Sequence, residues 1–380
     1  MLTNPYFQIR AALRPFMIRL CVLALAGFGF SVLTVAQTYT FSTVVNFPKY
    51  KQLSAVNPYA PTIDAAGNIY GTSYSGGSKN LGTVWKVTPK GVLSVLYSFG
   101  SSSTDGYNPE SILTRDSAGN LYGTNVNGGS QGHGTIFQLS SKGQETILRN
   151  TAVAAGDFLA RDSAGNFYGY AGLYEAFELS STGSYQTLYT FCGACDDELS
   201  GGPIVKNGYL YGGVGIIGGF VWELTTAGVE TTLYTFTGGA DGSWPEFKLT
   251  QDTAGNLYGV TREGGSTGNG VVFKIDTTTG AETVLYNFCS LANCSDGRFV
   301  SGPVIIDSAG NLYGITGRGG ANDTGVVYQI TPDGVETVLY NAGSEGAGRD
   351  LAIDKSGNLY GTISTGGPYK TGSVYKLTKN

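Results

Sequence analysis

The stretch DSAGNLYG, residues 116–123, returns in varied form seven times along this chain. The tyrosines that close the phrase are Tyr70, Tyr122, Tyr168, Tyr211, Tyr258, Tyr313 and Tyr360, separated by 52, 46, 43, 47, 55 and 47 residues. A period of this size without a helical pattern between the marks signals a repeat architecture.

The unit around Asp252 shows how one repeat is built. Lys248–Asp252 reads as a short strand, Thr253-Ala254-Gly255 as a turn, and Asn256–Thr261 as a second strand. A Gly-rich loop, Arg262–Gly270, leads to a third strand at Val271–Ile275, and Glu282–Phe288 is the fourth. Four antiparallel strands in a unit of this length make a propeller blade. Asp and Asn suit the first turn because their short side chains bond nearby backbone groups, and Gly accepts positive φ. The phrase therefore reads as a structural marker.

Third strands are expected at Thr83–Val87, Thr135–Leu139, Ala176–Leu179, Phe220–Leu224, Val271–Ile275, Val326–Ile330 and Ser373–Leu377. Only six fourth strands follow them. Phe41–Phe47 (FSTVVNF) matches the ETVLYNF pattern and precedes the first phrase. It is expected to complete the last blade beside Ser373–Leu377, closing the ring and removing both exposed sheet edges. The expected fold is all-β, a single seven-bladed propeller over residues 37–380. Composition agrees: 59 Gly, 25 Tyr, 18 Phe and 13% charged residues describe strands and turns.

Residues 1–36 differ. Arg10, Arg14 and Arg19 precede a largely apolar run from Leu20 to Val35, and Thr34-Val35-Ala36 offers small residues for cleavage near Ala36. This reads as a secretory signal peptide; the alternative is an uncleaved membrane anchor. The expected mature chain carries no transmembrane span and is exported to the periplasm or the cell surface. Without those three arginines it has 20 basic and 28 acidic residues, net −8, which argues against nucleic acid as a partner.

Cys21 aside, the cysteines form two close pairs, Cys192 with Cys195 and Cys289 with Cys294, each after a strand ending in Phe. In an exported chain they read as two local disulfides, with a four-thiolate zinc site as the alternative.

Val326–Tyr340 (VVYQITPDGVETVLY) and Phe288–Gly314 (FCSLANCSDGRFVSGPVIIDSAGNLYG) resemble the GloVer repeat, a choice-of-anchor tandem repeat of exported bacterial proteins. The resemblance runs over roughly residues 39–380. It implies a β-propeller and an exported location, and it implies no established reaction. Tyr168–Leu179 lacks the Gly-Gly loop, and the fourth unit has Gly208-Tyr209 in place of Gly-Asn, so loops there are expected to differ. Leu351–Gly361 also resembles NHL-type blades.

In a propeller the loops between second and third strands share a face with the loops between blades, and a ligand is expected there. Five Gly-rich loops on that face follow the pattern Gly-Gly, four residues, Gly; they lack the helix start and lysine of a phosphate cradle. Asp105-Gly106, Asp241-Gly242 and Asp296-Gly297 recur in loops between blades, with Asp196 and Asp197 in a fourth. These carboxylates either make turns or converge to hold Ca²⁺. No other cofactor is expected. Tyr107, Trp244, Phe299 and Arg298 follow the Asp-Gly pairs and either stack on a ligand or wedge between blades. His133 is the sole histidine, so a histidine-dependent triad would have to use it.

The expected function is a non-enzymatic binding module, a monomer recognising a glycan, a cell-envelope component or a protein. The alternatives are a hydrolase or lyase acting on polysaccharide or lactone, and a structural surface protein. The axis separates them. An enzyme needs converging carboxylates in a deep pocket, a binding module needs an aromatic and polar patch, and a scaffold needs a plugged axis.

Overall fold

The computed structural model describes residues 38–49, 55–58, 61–153, 156, 158–191 and 198–380. The signal-peptide reading lies outside these residues, as do Cys192, Cys195, Asp196 and Asp197. Of the two expected disulfides, the structure therefore shows the one between Cys289 and Cys294 and does not show the one between Cys192 and Cys195. The observed bond takes up two of the four thiols that the zinc alternative requires.

Seven four-stranded antiparallel sheets follow one another as blades 1 to 7. The helical element among the described residues is one turn of 3₁₀ helix, Ala292–Cys294. Closure occurs as expected: Tyr39–Asn46 pairs antiparallel with Ser373–Lys379, with Phe41 opposite Leu377. Asn380 adds hydrogen bonds to Thr38 and Thr40 across the same seam.

Six of the seven blades are pinned at the first turn by the phrase aspartate, which blade 4 lacks. In blade 5 one oxygen of Asp252 accepts the backbone N–H of Asn256 at 2.9 Å. The other accepts the Asn256 side-chain amide at 2.7 Å and the Tyr258 hydroxyl at 3.0 Å. The same set recurs at Asp64, Asp116, Asp162, Asp307 and Asp354. Burial alone would raise the Asp252 carboxyl, but the bonds from Asn256, Tyr258 and Ala254 together outweigh it and hold it below the usual carboxylate range.

The glycine after each phrase tyrosine has a steric reason rather than a conformational one. A Cβ on Gly71, Gly212 or Gly259 would collide with the ring of Trp85, Trp222 or Phe273 on the adjoining third strand. That aromatic is fully buried and meets a phenylalanine arriving from the preceding blade. Phe47 meets Trp85 at 5.3 Å between centroids, Phe99 meets Phe137 at 5.1 Å, and Phe191 meets Trp222 at 5.0 Å. Phe236 meets Phe273 at 5.0 Å and Phe288 meets Tyr328 at 4.9 Å. Such pairs favour the tilted geometry observed. The core is thus a ring of interfaces, one between each pair of neighbouring blades.

The innermost strands depart from expectation. In blade 5 the strand is Ser243–Gln251, longer than the sequence suggests, with its register broken between Glu246 and Thr250. Phe247 sits at φ +74° inside the break. In blades 2 and 6 the strand splits in two, at Gly106–Pro109 with Thr114–Arg115 and at Arg298–Val300 with Ile305–Ile306. A continuous ladder would turn alternate side chains away from the axis. The breaks let consecutive residues face it.

Two consequences are measurable by urea unfolding. Gly259→Ala is expected to cost about 1–3 kcal/mol through overpacking against Phe273. The phrase aspartates stabilise the fold above the ordinary carboxylate range and lose that contribution as pH falls through their lowered folded-state pKa values. Asp252→Asn is therefore expected to weaken the protein at neutral pH and to reduce the steepness of its acid unfolding.

Candidate functional site

The loops between second and third strands and those between blades do share one face. Gly129 N–H donates to the Asp105 carbonyl, and Gly265 N–H donates to the Gly239 carbonyl. The Gly-rich loops take positive φ as the sequence suggests, at Gly76, Gly77 and Gly82 for instance. Gly366 is an exception among their leading glycines.

The three Asp-Gly aspartates are committed within their own loops. Asp105 accepts the Tyr97 hydroxyl at 2.9 Å and the N–H groups of Gly100 and Ser101, each at 2.8 Å. Asp241 accepts the Tyr234 hydroxyl and Thr237. Asp296 accepts the Tyr286 hydroxyl, Ser290 and Leu291. Among the described residues no three His, Cys, Asp or Glu side chains come together as a metal cage. Each aspartate ties the end of an outer strand to the loop that follows. The loop after Phe288 is further closed by the disulfide between Cys289 and Cys294.

The other residues singled out from sequence separate. Tyr107 packs on the core between blades 1 and 2. Arg298 forms a two-pronged pair with the exposed Asp323, at 3.1 and 3.3 Å. His133 is exposed on the Gly-rich loop of blade 2. Trp244 lines a cavity on the ring axis.

That cavity has a volume of about 280 Å³ and draws residues from the inner strands of six blades. Its polar side chains include Glu110, Glu246 and Arg349, and its apolar wall includes Phe158, Trp244 and Phe247. Gly215, in the blade 4 loop between second and third strands, places the mouth on the loop face. Two clefts of about 250 and 440 Å³ on the opposite face lie among phrase turns, and in the larger one Asp252 and Asp307 are already bonded within their own turns.

Trp244 reaches the cavity through an unusual backbone. Its φ is +61°, and the equivalent positions in blades 2 and 6, Asn108 and Phe299, stand at +56° and +53°. An L-residue pays about 1–2 kcal/mol there. Gly242 and Gly297, just before, also have positive φ, and their missing side chains leave room for Thr261 and Thr316. The Asp-Gly pair thus starts a kink that brings Trp244 to the cavity wall; Asn108 donates instead to the Tyr74 carbonyl, and Phe299 is exposed.

The charges inside are uneven. Glu246 lies 3.9 Å from Arg262. Burial pushes its carboxyl above the usual range, against the pull of Arg262 and Arg349. Lys248, two residues on, has its ammonium pulled down by desolvation, with Asp350 acting the other way. Glu110, Glu246, Lys248 and Arg349 sit in or next to the strand breaks, and alternation counted along a regular strand does not find them. Counting back from the phrase aspartate does, since Glu110 and Glu246 both stand six residues before it.

The sequence profile of the family described as Gloeobacter/Verrucomicrobia repeat matches residues 26–215 and 175–375, and the chain belongs to that family. Comparison with curated protein sequences finds no significant match. Among solved structures the chain is similar to a streptogramin B lyase, with 14% identity, TM-score 0.65, and coverage of 90% of this chain and 98% of that one. It is similar to the virginiamycin B lyase of Staphylococcus aureus, seen with quinupristin as a catalytically inactive histidine-to-alanine variant, at 14% identity, TM-score 0.62, and coverage of 90% and 99%. It also resembles the extracellular domain of a protein assigned as a hybrid two component system from B. thetaiotaomicron, at 11% identity, TM-score 0.59, and coverage of 90% and 42%. At these identities the likeness is one of fold.

Asp105→Ala is expected to lower stability by about 1–3 kcal/mol by leaving the Tyr97 hydroxyl and two N–H groups without their acceptor. Urea unfolding reads the loss.

Proposed function

We propose that this member of the Gloeobacter/Verrucomicrobia repeat family is an exported recognition module that takes a glycan end at the axial cavity. The observation that carries the reading is Trp244, held at positive φ in the wall of a cavity that also presents Glu110, Glu246 and Arg349. An aromatic face covers the C–H face of a sugar ring, and carboxylates and a guanidinium bond its hydroxyls. The size suits one or two sugar units rather than a large apolar ligand. Export is supported by the Cys289–Cys294 disulfide and by the basic and apolar start of the sequence. No helix among the described residues is long and apolar enough to cross a membrane. We read the ring as acting as a monomer, since closure by Tyr39–Asn46 leaves no blade without a neighbour. The reading requires no cofactor.

A second reading has its own observation. Glu246 is raised by burial in a cavity shared with Glu110, and a carboxylic acid facing a carboxylate is the equipment of glycoside hydrolysis. The inactive lyase variant points to a histidine in that relative, whereas His133, the sole histidine here, is not among the residues lining this cavity.

Glycan-array binding followed by calorimetry tests both readings. Trp244→Ala is expected to weaken the best ligand by on the order of tenfold or more, while leaving the unfolding midpoint nearly unchanged. If product accumulates on long incubation and Glu246→Gln abolishes turnover while retaining binding, the hydrolase reading replaces the module. An unchanged affinity in Trp244→Ala removes the axial cavity from both.

A further inference from the structure

The outer strands meet at seven junctions, and the residues there follow a rule. At six of them the residue at the Glu282 position of one blade's outer strand (Phe41 in Tyr39–Asn46) lies near the residue four places after that position in the preceding blade's outer strand. Phe41 stacks on Tyr340 with centroids 4.5 Å apart. Tyr185 lies under Arg149 at 3.9 Å. Leu93 packs in one cluster with Val45. At three other junctions the pair is Glu145 with Tyr97, Glu282 with Tyr234, and Glu336 with Tyr286, each glutamate acting electrostatically on its tyrosine.

A second position varies in step with the first. Eleven residues before the phrase aspartate, blades 2, 5 and 6 carry Asp105, Asp241 and Asp296. These are the blades whose outer strands begin with Glu145, Glu282 and Glu336. Blades 1, 3 and 7 have Leu53, Thr151 and Gly343 at that place, and their junction residues are Leu93, Tyr185 and Phe41. Aspartate and glutamate are present together or absent together. In blade 4, Asp196 and Asp197 accompany Glu230 in the sequence.

Putting two like charges together at the same junction three times over needs a reason. Each aspartate is held by its loop and accepts the junction tyrosine's hydroxyl. Each glutamate has one oxygen, Oε1, buried without a hydrogen-bond partner. No other glutamate among the described residues has such an oxygen. Asp105 Oδ1 is in the same position. At the Glu145 junction both carboxylates carry such an oxygen, whereas Asp241 Oδ1 accepts the Thr237 hydroxyl and Asp296 Oδ1 accepts the Leu291 N–H; in all three pairs a proton on the glutamate relieves the repulsion and turns an unpartnered acceptor into a donor.

We infer that Glu145, Glu282 and Glu336 hold protons in the folded ring and close three blade junctions as carboxylic acids against the neighbouring aspartates, so that the ring is tightest in mildly acidic water and loosens as pH rises past neutrality. The groups acting on them are consistent. Burial first and Asp105 second raise Glu145 to about 7. Burial and Asp241 raise Glu282 to about 7, and burial and Asp296 raise Glu336 to about 8. Tyr97, Tyr234 and Tyr286 face them as neutral phenols, and Tyr328 also feels Glu336. No lysine or arginine among the described residues offsets the pairs. The folded state then binds more protons than the unfolded chain between the ordinary carboxylate range and pH 7–8, so stability falls with rising pH across that interval. Lys248, pulled down, contributes with the opposite sign.

Thermal unfolding is measured from pH 5 to 8.5 in a His133→Gln background, because imidazoles ordinarily titrate in this range. The unfolding midpoint is expected to drop steadily toward pH 8. The triple variant E145Q/E282Q/E336Q is expected to flatten most of that drop and to match or exceed the parent at pH 8. A midpoint that does not fall between pH 5 and 8, or a triple variant that keeps the parent's slope, overturns the inference. Should the triple variant fold poorly, infrared difference spectra of the parent decide. A carboxylic-acid carbonyl band lost between pH 6 and 8.5 supports the protonated pairs, and its absence at pH 6 refutes them.

Discussion

The structure depends on an aromatic ring lying across a glycine. In each blade the third strand carries Trp, Phe or Tyr, and that ring lies over the glycine that follows the phrase tyrosine. Any side chain there would force the ring outward. With the glycine in place, the ring fills the space between two sheets and meets the phenylalanine that ends the preceding blade's last strand. One contact therefore serves packing within a blade and docking between blades. Two junctions lack the incoming ring, with Thr151 and Ala342 standing where the phenylalanine would be. The first of these belongs to blade 3, the least regular unit in the sequence.

The same economy shapes the axis. Four ideal strands per blade would bring alternating side chains to a narrow shaft. Here the inner strands kink after Asp-Gly and break their ladder, so several consecutive residues in one blade meet the mouth. Glu246 and Phe247 line the cavity together for this reason, with Lys248 just behind. The aspartates that looked like ligands hold the strand ends from which those kinks depart.

How much could be read from the residues follows from which forces act locally. Blade number, strand order, ring closure and the loop face came from the phrase, because its Asp, Asn and Tyr bond one another within six residues. The disulfide at Cys289 and Cys294 was legible for a similar reason of proximity. The axial residues were not. Glu110, Phe158 and Arg349 lie in different blades far apart in the chain, and the breaks that expose them cancel strand alternation. Trp244, singled out for its place after an Asp-Gly pair, lines the axial cavity, while His133, singled out as the sole histidine, is exposed on its loop. The junction glutamates went unnoticed because they begin ordinary ETVLYN strands; only the loop aspartates that accompany them, an inter-blade relation, set them apart.

Ring closure also bears on how the protein is made. Tyr39–Asn46 emerges from the ribosome among the first strands of the propeller, while its partner Ser373–Lys379 emerges among the last. Bonds across the seam join residues about 340 positions apart. Until the last blade is synthesised, the first strand has no sheet to join, and blades 1 and 6 each present an uncovered flank. The chain must stay soluble through that interval with its edges open. Closing the seam is therefore the step that covers both flanks at once.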